Sequence, residues 1–415
     1  MAGASVGGAL AGPLAGGRLG VLGLRDFRLL WLSTVTVGSS QQMELLALGW
    51  FVLEETNSAF LVGLVGAARW WGMLFAPFGG VLADRVSRRS LLLAVEVVML
   101  AGGMAIGALA FAGRLDTGPL VVIVLVGGLA RAFEQTARQA FLGDLVTRDR
   151  LTGGVALLQA AMNGSAVLAP TIAGLTFGVA GVAGCYVFVS ALLLGAVLAT
   201  AMIRPATAPA AGARSSPMRS LVEGVAYVRR TPVVAALLWI AAIANLCGFP
   251  LTFAMLPSFA RDVLGTGSAG LGVLMSGVGV GALAGNLLLG TRGSVHGRGR
   301  LVFVGMLAWM AAIALFSLTH WLPLAVAALV LVGACSAVSM ALVAALLLGA
   351  TPERLRGRVM GVRMFAIATM PPGVLAAGWL IEQTGVPLTL ILFAAGGAVL
   401  TLAVAARLPQ LARQS

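Results

Sequence analysis

The sequence predicts an all-α integral membrane protein of twelve transmembrane helices, arranged as two six-helix parallel pseudo-repeats. Three observations carry that prediction. Of the 415 residues, 60% are hydrophobic and 10% charged, against roughly 25% charge in soluble domains, and no water-soluble fold hides that much apolar surface. Apolar runs of about 20 residues, the length that crosses a bilayer, recur twelve times with short connections. A polar motif at residue 147 returns at residue 351, about half the chain later.

Taken in order, residues 1–24 are a Gly/Ala-rich tail, expected to be flexible and lacking the basic start of a cleaved signal peptide. Spans are expected near 28–52, 60–83, 90–112, 118–140, 152–177 and 182–203, which make a first bundle over 25–203. The linker 204–232 is the one long polar interval and holds Pro205, Pro209 and Pro217. Within it, Leu221, Val225 and Val228 share one helical face flanked by Arg219, Arg229 and Arg230, the pattern of a short helix on an anionic membrane surface. A solvated loop is the alternative. Spans near 233–257, 268–291, 301–318, 321–347, 357–382 and 386–406 make a second bundle over 233–407, and 408–415 form a closing tail.

The net charge of +13 comes entirely from arginine, in no stripe with aromatics between, so nucleic acid is not the expected partner. The arginines report orientation instead, because cytoplasmic loops collect basic residues. With even connections inside, 22 of the 27 fall on the inner side, Arg114 and Arg261 fall outside, and Arg69, Arg131 and Arg363 stay within spans. Both termini are then cytoplasmic. The three cysteines lie in apolar stretches at spacings unsuited to disulfides or zinc, and neither a metal nor a cofactor is expected.

The repeat aligns Thr147-Arg-Asp-Arg-Leu-Thr-Gly153 with Thr351-Pro-Glu-Arg-Leu-Arg-Gly357, and at the same offset Gly174 with Gly378 and Gly181 with Gly385. Copies separated by an even number of spans share one orientation.

After the second span comes Gly79-Gly-Val-Leu-Ala-Asp-Arg-Val-Ser-Arg-Arg89. Gly80 permits a tight exit from the helix, Asp84 can face a helix N-terminus, and Arg85, Arg88 and Arg89 can anchor at anionic headgroups. The segment resembles the G-x-L-a-D-R-x-G-R-R/K loop of the major facilitator superfamily, with Ser87 where that family has Gly. The resemblance implies a conformational latch made by Gly80, Asp84, Arg85, Arg88 and Arg89; simple inside-positive anchoring is the other reading of the arginines. The matching stretch of the second half, Gly285 to Arg300, has no acid, so any latch is one-sided.

In the fifth span, Asn163-Gly-Ser-Ala-Val-Leu-Ala-Pro-Thr-Ile-Ala-Gly174 resembles the G-P-x-x-G-G segment of facilitator antiporters, with Ala169 and Ala173 where glycines are usual. Pro170 removes a backbone bond and Gly174 allows close approach, which suits either a kinked, moving helix or a packing kink. Together with Leu24-Arg-Asp-Phe-Arg-Leu-Leu-Trp31, Ala137-Arg-Gln-Ala-Phe-Leu-Gly-Asp-Leu-Val146 and Pro352-Glu-Arg-Leu-Arg-Gly-Arg358, the chain resembles the branch containing the enterobactin exporter and macrolide efflux proteins. That resemblance implies proton-driven export of a hydrophobic or amphipathic small molecule, such as a drug or siderophore.

Charged residues inside spans cost roughly 2.5–3.5 kcal/mol each at the bilayer centre and mark function or a buried partner. Counted at about 1.5 Å per residue from the inner ends, Glu44 lies about 24 Å and Arg69 about 21 Å deep, so a pair is possible. Arg131, Glu134 and Arg138 lie about 13, 9 and 3 Å deep and Glu96 about 9 Å, and these four can form one network. Arg131 also resembles the fourth-span arginine of facilitator proton coupling, without the usual Gln-Gly. Antiport needs a carboxylate that binds proton and substrate in competition. Glu44 is the best-placed candidate, and Arg69, Arg131 and Glu134 are the further candidates for proton coupling; a purely structural Glu44/Arg69 pair is the competing reading. Arg363, about 10 Å deep, has no acid near it in sequence and suits an anionic substrate group. Gln41, Gln42, Gln159, Asn163, Asn245, Trp70, Trp71 and Phe249 are the remaining candidates for the substrate cavity.

The expected function is therefore secondary active transport, with an uptake facilitator or proton symporter as the alternative on the same fold. A membrane-embedded lipid-modifying enzyme would need clustered acids or histidines, and His296 and His320 both lie in loops. The expected partners are a small-molecule substrate, protons and lipids, the protein acting as a monomer in a bacterial cytoplasmic membrane.

Overall fold

The computed structural model describes residues 20–76, 82, 86–147, 150–204, 217–291 and 298–408, and every regular element among them is helical. The first half holds α1 (Arg25–Thr56), α2 (Ala59–Phe75), α3 (Arg88–Phe111) and α4 (Thr117–Leu145), followed by the continuous run Leu151–Ala201. At 1.5 Å per residue that run would be about 75 Å long, against about 30 Å of hydrocarbon. It folds back at Gly181, whose φ of 62° and ψ of −164° are open to glycine almost alone. The Cys185 thiol donates to the Ala173 carbonyl at 3.3 Å although 12 residues separate them. We therefore treat 151–180 as α5 and 182–201 as α6.

The second half follows the linker helix α7 (Pro217–Arg230) with α8 (Pro232–Val263), α9 (Ser268–Thr291), α10 (Arg298–Ser317), α11 (Leu322–Gly349), α12 (Glu353–Thr384) and α13 (Val386–Arg407). The turn from α12 to α13 is made by Gly385, with φ of 79° and ψ of 166°. It is the repeat partner of Gly181, and the two halves reverse direction on the same backbone conformation.

Each of the twelve expected intervals carries helix. Among the described residues nine helices are long and apolar enough to cross a membrane, one of them the doubled run. α1 falls outside that set because Gln41, Gln42 and Glu44 lower its hydropathy, and α2 because its apolar helix is short. Two helices depart from the expected bounds in ways that matter: α4 continues to Leu145, five residues further, and α12 is interrupted at Ala368–Thr369.

The halves meet most closely at the end carrying the Asn57–Ser58, Gly181, Gly265–Gly267 and Gly385 turns, here the far end. Gly174 and Gly378 explain the closeness. A Cβ on Gly174 would stand 2.4 Å from the Ser268 carbonyl oxygen at the start of α9, and one on Gly378 would stand 2.5 Å from the Ala59 carbonyl oxygen at the start of α2. Small residues that let backbones touch are the usual way membrane helices associate. The same end is pinned across the halves by Arg261 donating to the Leu53 carbonyl at 2.9 Å. Glu382 accepts from the Ser58 hydroxyl at 2.5 Å and from the Phe60 N–H at 3.1 Å. Ser268 donates to the Gly174 carbonyl at 3.0 Å, and Thr171 and Ser276 share a 2.8 Å bond.

The linker helix forms as expected, but its partner is protein. Gly224 lies against the Arg358 backbone, Glu223 pairs with Arg358, and the Tyr227 hydroxyl donates to the Ala350 carbonyl at 3.0 Å. α7 docks on the first turns of α12 and on the loop before it. Near the chain start, Val21 is buried in a short turn, so the packed part begins before residue 25; residues 1–19 lie outside the described ones.

Candidate functional site

α4 organises the polar interior because it presents two charged edges. Glu134 and Arg138, one turn apart, face into the first half. Arg138 pairs with Glu134 and, at 3.0 Å, with Glu96 of α3, and donates to the hydroxyls of Ser33 at 3.1 Å and Thr34 at 2.9 Å on α1. Ser33 in turn donates to Glu96 at 2.7 Å and receives from Thr200 of α6 at 3.3 Å. Glu96 is wholly buried. One guanidinium ties α1, α3 and α4, and α6 joins them through Ser33, whose hydroxyl also serves the buried Glu96.

Arg131 does not belong to that group, contrary to the depth count. Because α4 runs on to Leu145, Arg131 lies about 21 Å from its end, level with Glu44. The Glu44 carboxylate is 2.7 Å from the guanidinium of Arg131 and 2.7 Å from that of Arg69, and Arg69 also donates to the Gln41 carbonyl at 2.8 Å. Both arginines are 6% exposed. The Glu44/Arg69 pair is thus present and extended by a second cation. Across the two groups, Arg69, Arg131 and Arg138 stand against Glu44, Glu96 and Glu134, so the charges cancel.

Beside these groups is a cavity of about 620 Å³, lined from α1, α2, α4 and α5. It runs from Gln41 and Trp70 at mid-depth to Gly143 and Leu151 at the end opposite the far-end turns, the near end. Of the residues expected here, Gln41, Trp70, Gln159, Arg131 and Glu134 line it. Gln42 and Asn163 are not on its wall, although Gln159 donates to Asn163 at 3.2 Å. Trp71 points away, its indole N–H donating to the Leu125 carbonyl at 2.8 Å. Asn245 is buried and donates to the Ala241 carbonyl at 2.8 Å, and Phe249 packs edge-on to Trp309 at 5.2 Å. Both sit where α8 is loosened into π-turns around Pro250, a distortion frequent at functional sites. Trp70 reaches across to the second half, its ring 5.4 Å from that of Phe253. Arg363 is half-buried, off the cavity wall, and makes no ion pair or hydrogen bond among the described residues.

Gln135 and Gln139, absent from the sequence reading, line the cavity. They continue the face of Arg131 at i+4 and i+8, a spacing open to view in the sequence but without charge to draw attention.

In the latch segment, Gly80, Asp84 and Arg85 lie outside the described residues. Arg88 binds Asp144 at 2.5 Å and the Ala140 carbonyl at 3.0 Å, and Arg89 donates to the Ala201 carbonyl at 2.6 Å. Both tie α3 to neighbours in its own half. Pro170, lacking an N–H, frees the carbonyl of Ala166. A Cβ on Gly279 of α9 would stand 2.2 Å from that oxygen, and one on Gly272 would stand 2.5 Å from the Pro170 carbonyl. The antiporter-like segment is the surface on which α5 meets the other half.

Compared with known proteins, residues 18–414 match the model of the transmembrane secretion effector family. The enterobactin exporter EntS of Shigella boydii serotype 4 is 30% identical over 316 residues, 74% of this chain and 73% of that protein. EntS of Escherichia coli strain HS matches to the same extent. Among solved structures, the nucleoside transporter NupG superposes with a TM-score of 0.74 at 15% identity, covering 92% of this chain and 98% of that one. A bacterial homologue of the lysosomal transporter Spinster, inward-facing and unoccupied, gives 0.72 at 14% identity, covering 94% and 96%.

Proposed function

Because the chain belongs to the transmembrane secretion effector family of major facilitator transporters, we propose that it exports a hydrophobic or amphipathic small molecule in exchange for protons. The observation that carries this reading is the Glu44 carboxylate shared by Arg69 and Arg131 at 2.7 Å each, with Arg131 also on the cavity wall. Protonating Glu44 removes the charge on which both guanidiniums close. Arg131 is then released to rearrange where cargo sits, and this links the two bindings through one side chain. The names of the curated relatives favour export, and siderophores join drugs as candidate cargo.

The near end, where the inner-loop arginines collect, faces the cytoplasm in this reading, so cargo enters from inside and leaves through the far end. The protein is a monomer in a bacterial cytoplasmic membrane, with anionic lipids at its arginine-rich side. We keep Asp84 as the switching carboxylate implied by the family loop, and read Arg88 and Arg89 as anchors. The test is proton movement in proteoliposomes on addition of amphipathic drugs and siderophores. Substrate-triggered proton release, lost in Glu44→Gln and slowed in Asp84→Asn, is the expected result. Substrate movement with no proton flux would make the protein a facilitator and return Glu44 to a structural role.

A further inference from the structure

The charges of the two polar groups cancel when the groups are taken together, but not within each group. Glu96 and Glu134 both bond Arg138, whereas Arg69 and Arg131 divide one carboxylate, and both of their contacts fall on the same oxygen, Glu44 Oε2. The Glu44 group therefore keeps one positive charge in excess at mid-depth. Its donors are in excess as well. Arg131 Nε and Nη1 are buried with no hydrogen-bond partner among the described residues, and so are the indole N–H of Trp70 and the hydroxyl of Tyr186. Arg131 and Trp70 line the cavity, and Tyr186 of α6 is close enough for Glu44, Arg69 and Arg131 to act on its hydroxyl. The next acid along α4, Glu134, is taken by Arg138. Buried donors need acceptors, and a buried charge needs a counter-charge. Water meets the first need alone, while a monovalent anion meets both. Both arginines are only 6% exposed, so the anion that reaches them is small.

We infer that the free donors of Arg131, beside Trp70 on the cavity wall, bind an inorganic monoanion of chloride size, and that protonating Glu44 strengthens this binding. With Glu44 neutral, Arg69 and Arg131 are two charges without a carboxylate, and the anion takes its place. By linkage, the bound anion favours the protonated form of Glu44. The charged or titratable groups facing Glu44 are Arg69 from α2, Arg131 from α4 and Tyr186 from α6. Guanidiniums stay charged and phenols neutral between about pH 5.5 and 8, so the carboxylate is the member whose charge changes. The site goes beyond the proposed exchange and does not need it, because the excess charge is there whether or not the Glu44 proton crosses the membrane.

The test is thermal unfolding of the purified full chain in detergent at constant ionic strength, with sodium gluconate replaced stepwise by sodium chloride. Chloride should raise the melting temperature saturably, and more at about pH 5.5 than at about pH 8. Glu44→Gln should bind chloride at least about tenfold more tightly at the higher pH and lose the pH dependence. That gain is one that misfolding cannot imitate. Gln135→Glu, which sets a carboxylate on the cavity wall one turn from Arg131, should supply the missing counter-charge and weaken chloride binding by a similar factor. The inference is overturned by a chloride effect no larger than that of gluconate, or by one that either variant leaves unchanged. Wild-type proton flux in Glu44→Gln proteoliposomes would sink the proposed exchange and leave the anion site standing.

Discussion

Arg138 holds two buried acids and two hydroxyls, so its removal leaves charges without partners. Arg138→Leu should lower stability by about 3–5 kcal/mol, the usual penalty for breaking a buried pair from one side. Arg356→Ala, at an exposed pair with Glu353, should cost less than about 1 kcal/mol. Thermal unfolding in detergent compares the two, and similar losses would contradict the picture of a network that matters through burial. The charged residues were legible in the sequence because a charge in an apolar run has few permitted explanations. Gln135 and Gln139 were not, because an amide in such a run is inexpensive and signals little. Asn245 and Trp71 misled for the same reason: polar atoms that look available from sequence are satisfied by a carbonyl of a neighbouring turn or helix.

At the scale of elements, the two halves were recognised through the repeat of Thr147–Gly153 at Thr351–Gly357, which at the same offset pairs Gly174 with Gly378 and Gly181 with Gly385, and the structure supplies the physical cause of both glycine pairs. Gly181→Ala and Gly385→Ala should each cost about 1–3 kcal/mol, because the ε region they occupy excludes a side chain. Gly164→Ala, in a helix with nothing within 4 Å of the added carbon, should cost nothing or stabilise slightly. Melting temperatures of the three variants settle the comparison; a loss at Gly164 equal to that at Gly181 would refute it. Helix ends were less legible. The five extra residues of α4 contain Phe141 and Leu142, which continue its apolar face. Charged and polar neighbours hid that continuation and displaced Arg131 from its partner by two turns in the depth count. The docking of α7 was hidden too, because an amphipathic face does not say whether lipid or protein covers it.

For the whole molecule, the close contacts are concentrated at the far end, while the cavity reaches the near end. A cysteine at Gln135 in a cysteine-free background should therefore react with an impermeant thiol reagent from the near side. Gly378→Leu, which pushes α12 from the start of α2, should raise labelling from the far side severalfold. Unchanged far-side labelling would mean that these contacts do not form the barrier.

The far-end closure also sets an energy scale. Arg261–Leu53, Ser58–Glu382, Phe60–Glu382, Ser268–Gly174 and Thr171–Ser276 are five hydrogen bonds, and at about 1 kcal/mol net each they amount to about 5 kcal/mol. One elementary charge falling through about 200 mV releases about 4.6 kcal/mol. Under the proposed proton exchange, the polar part of that closure is comparable to the energy that one charge translocation supplies.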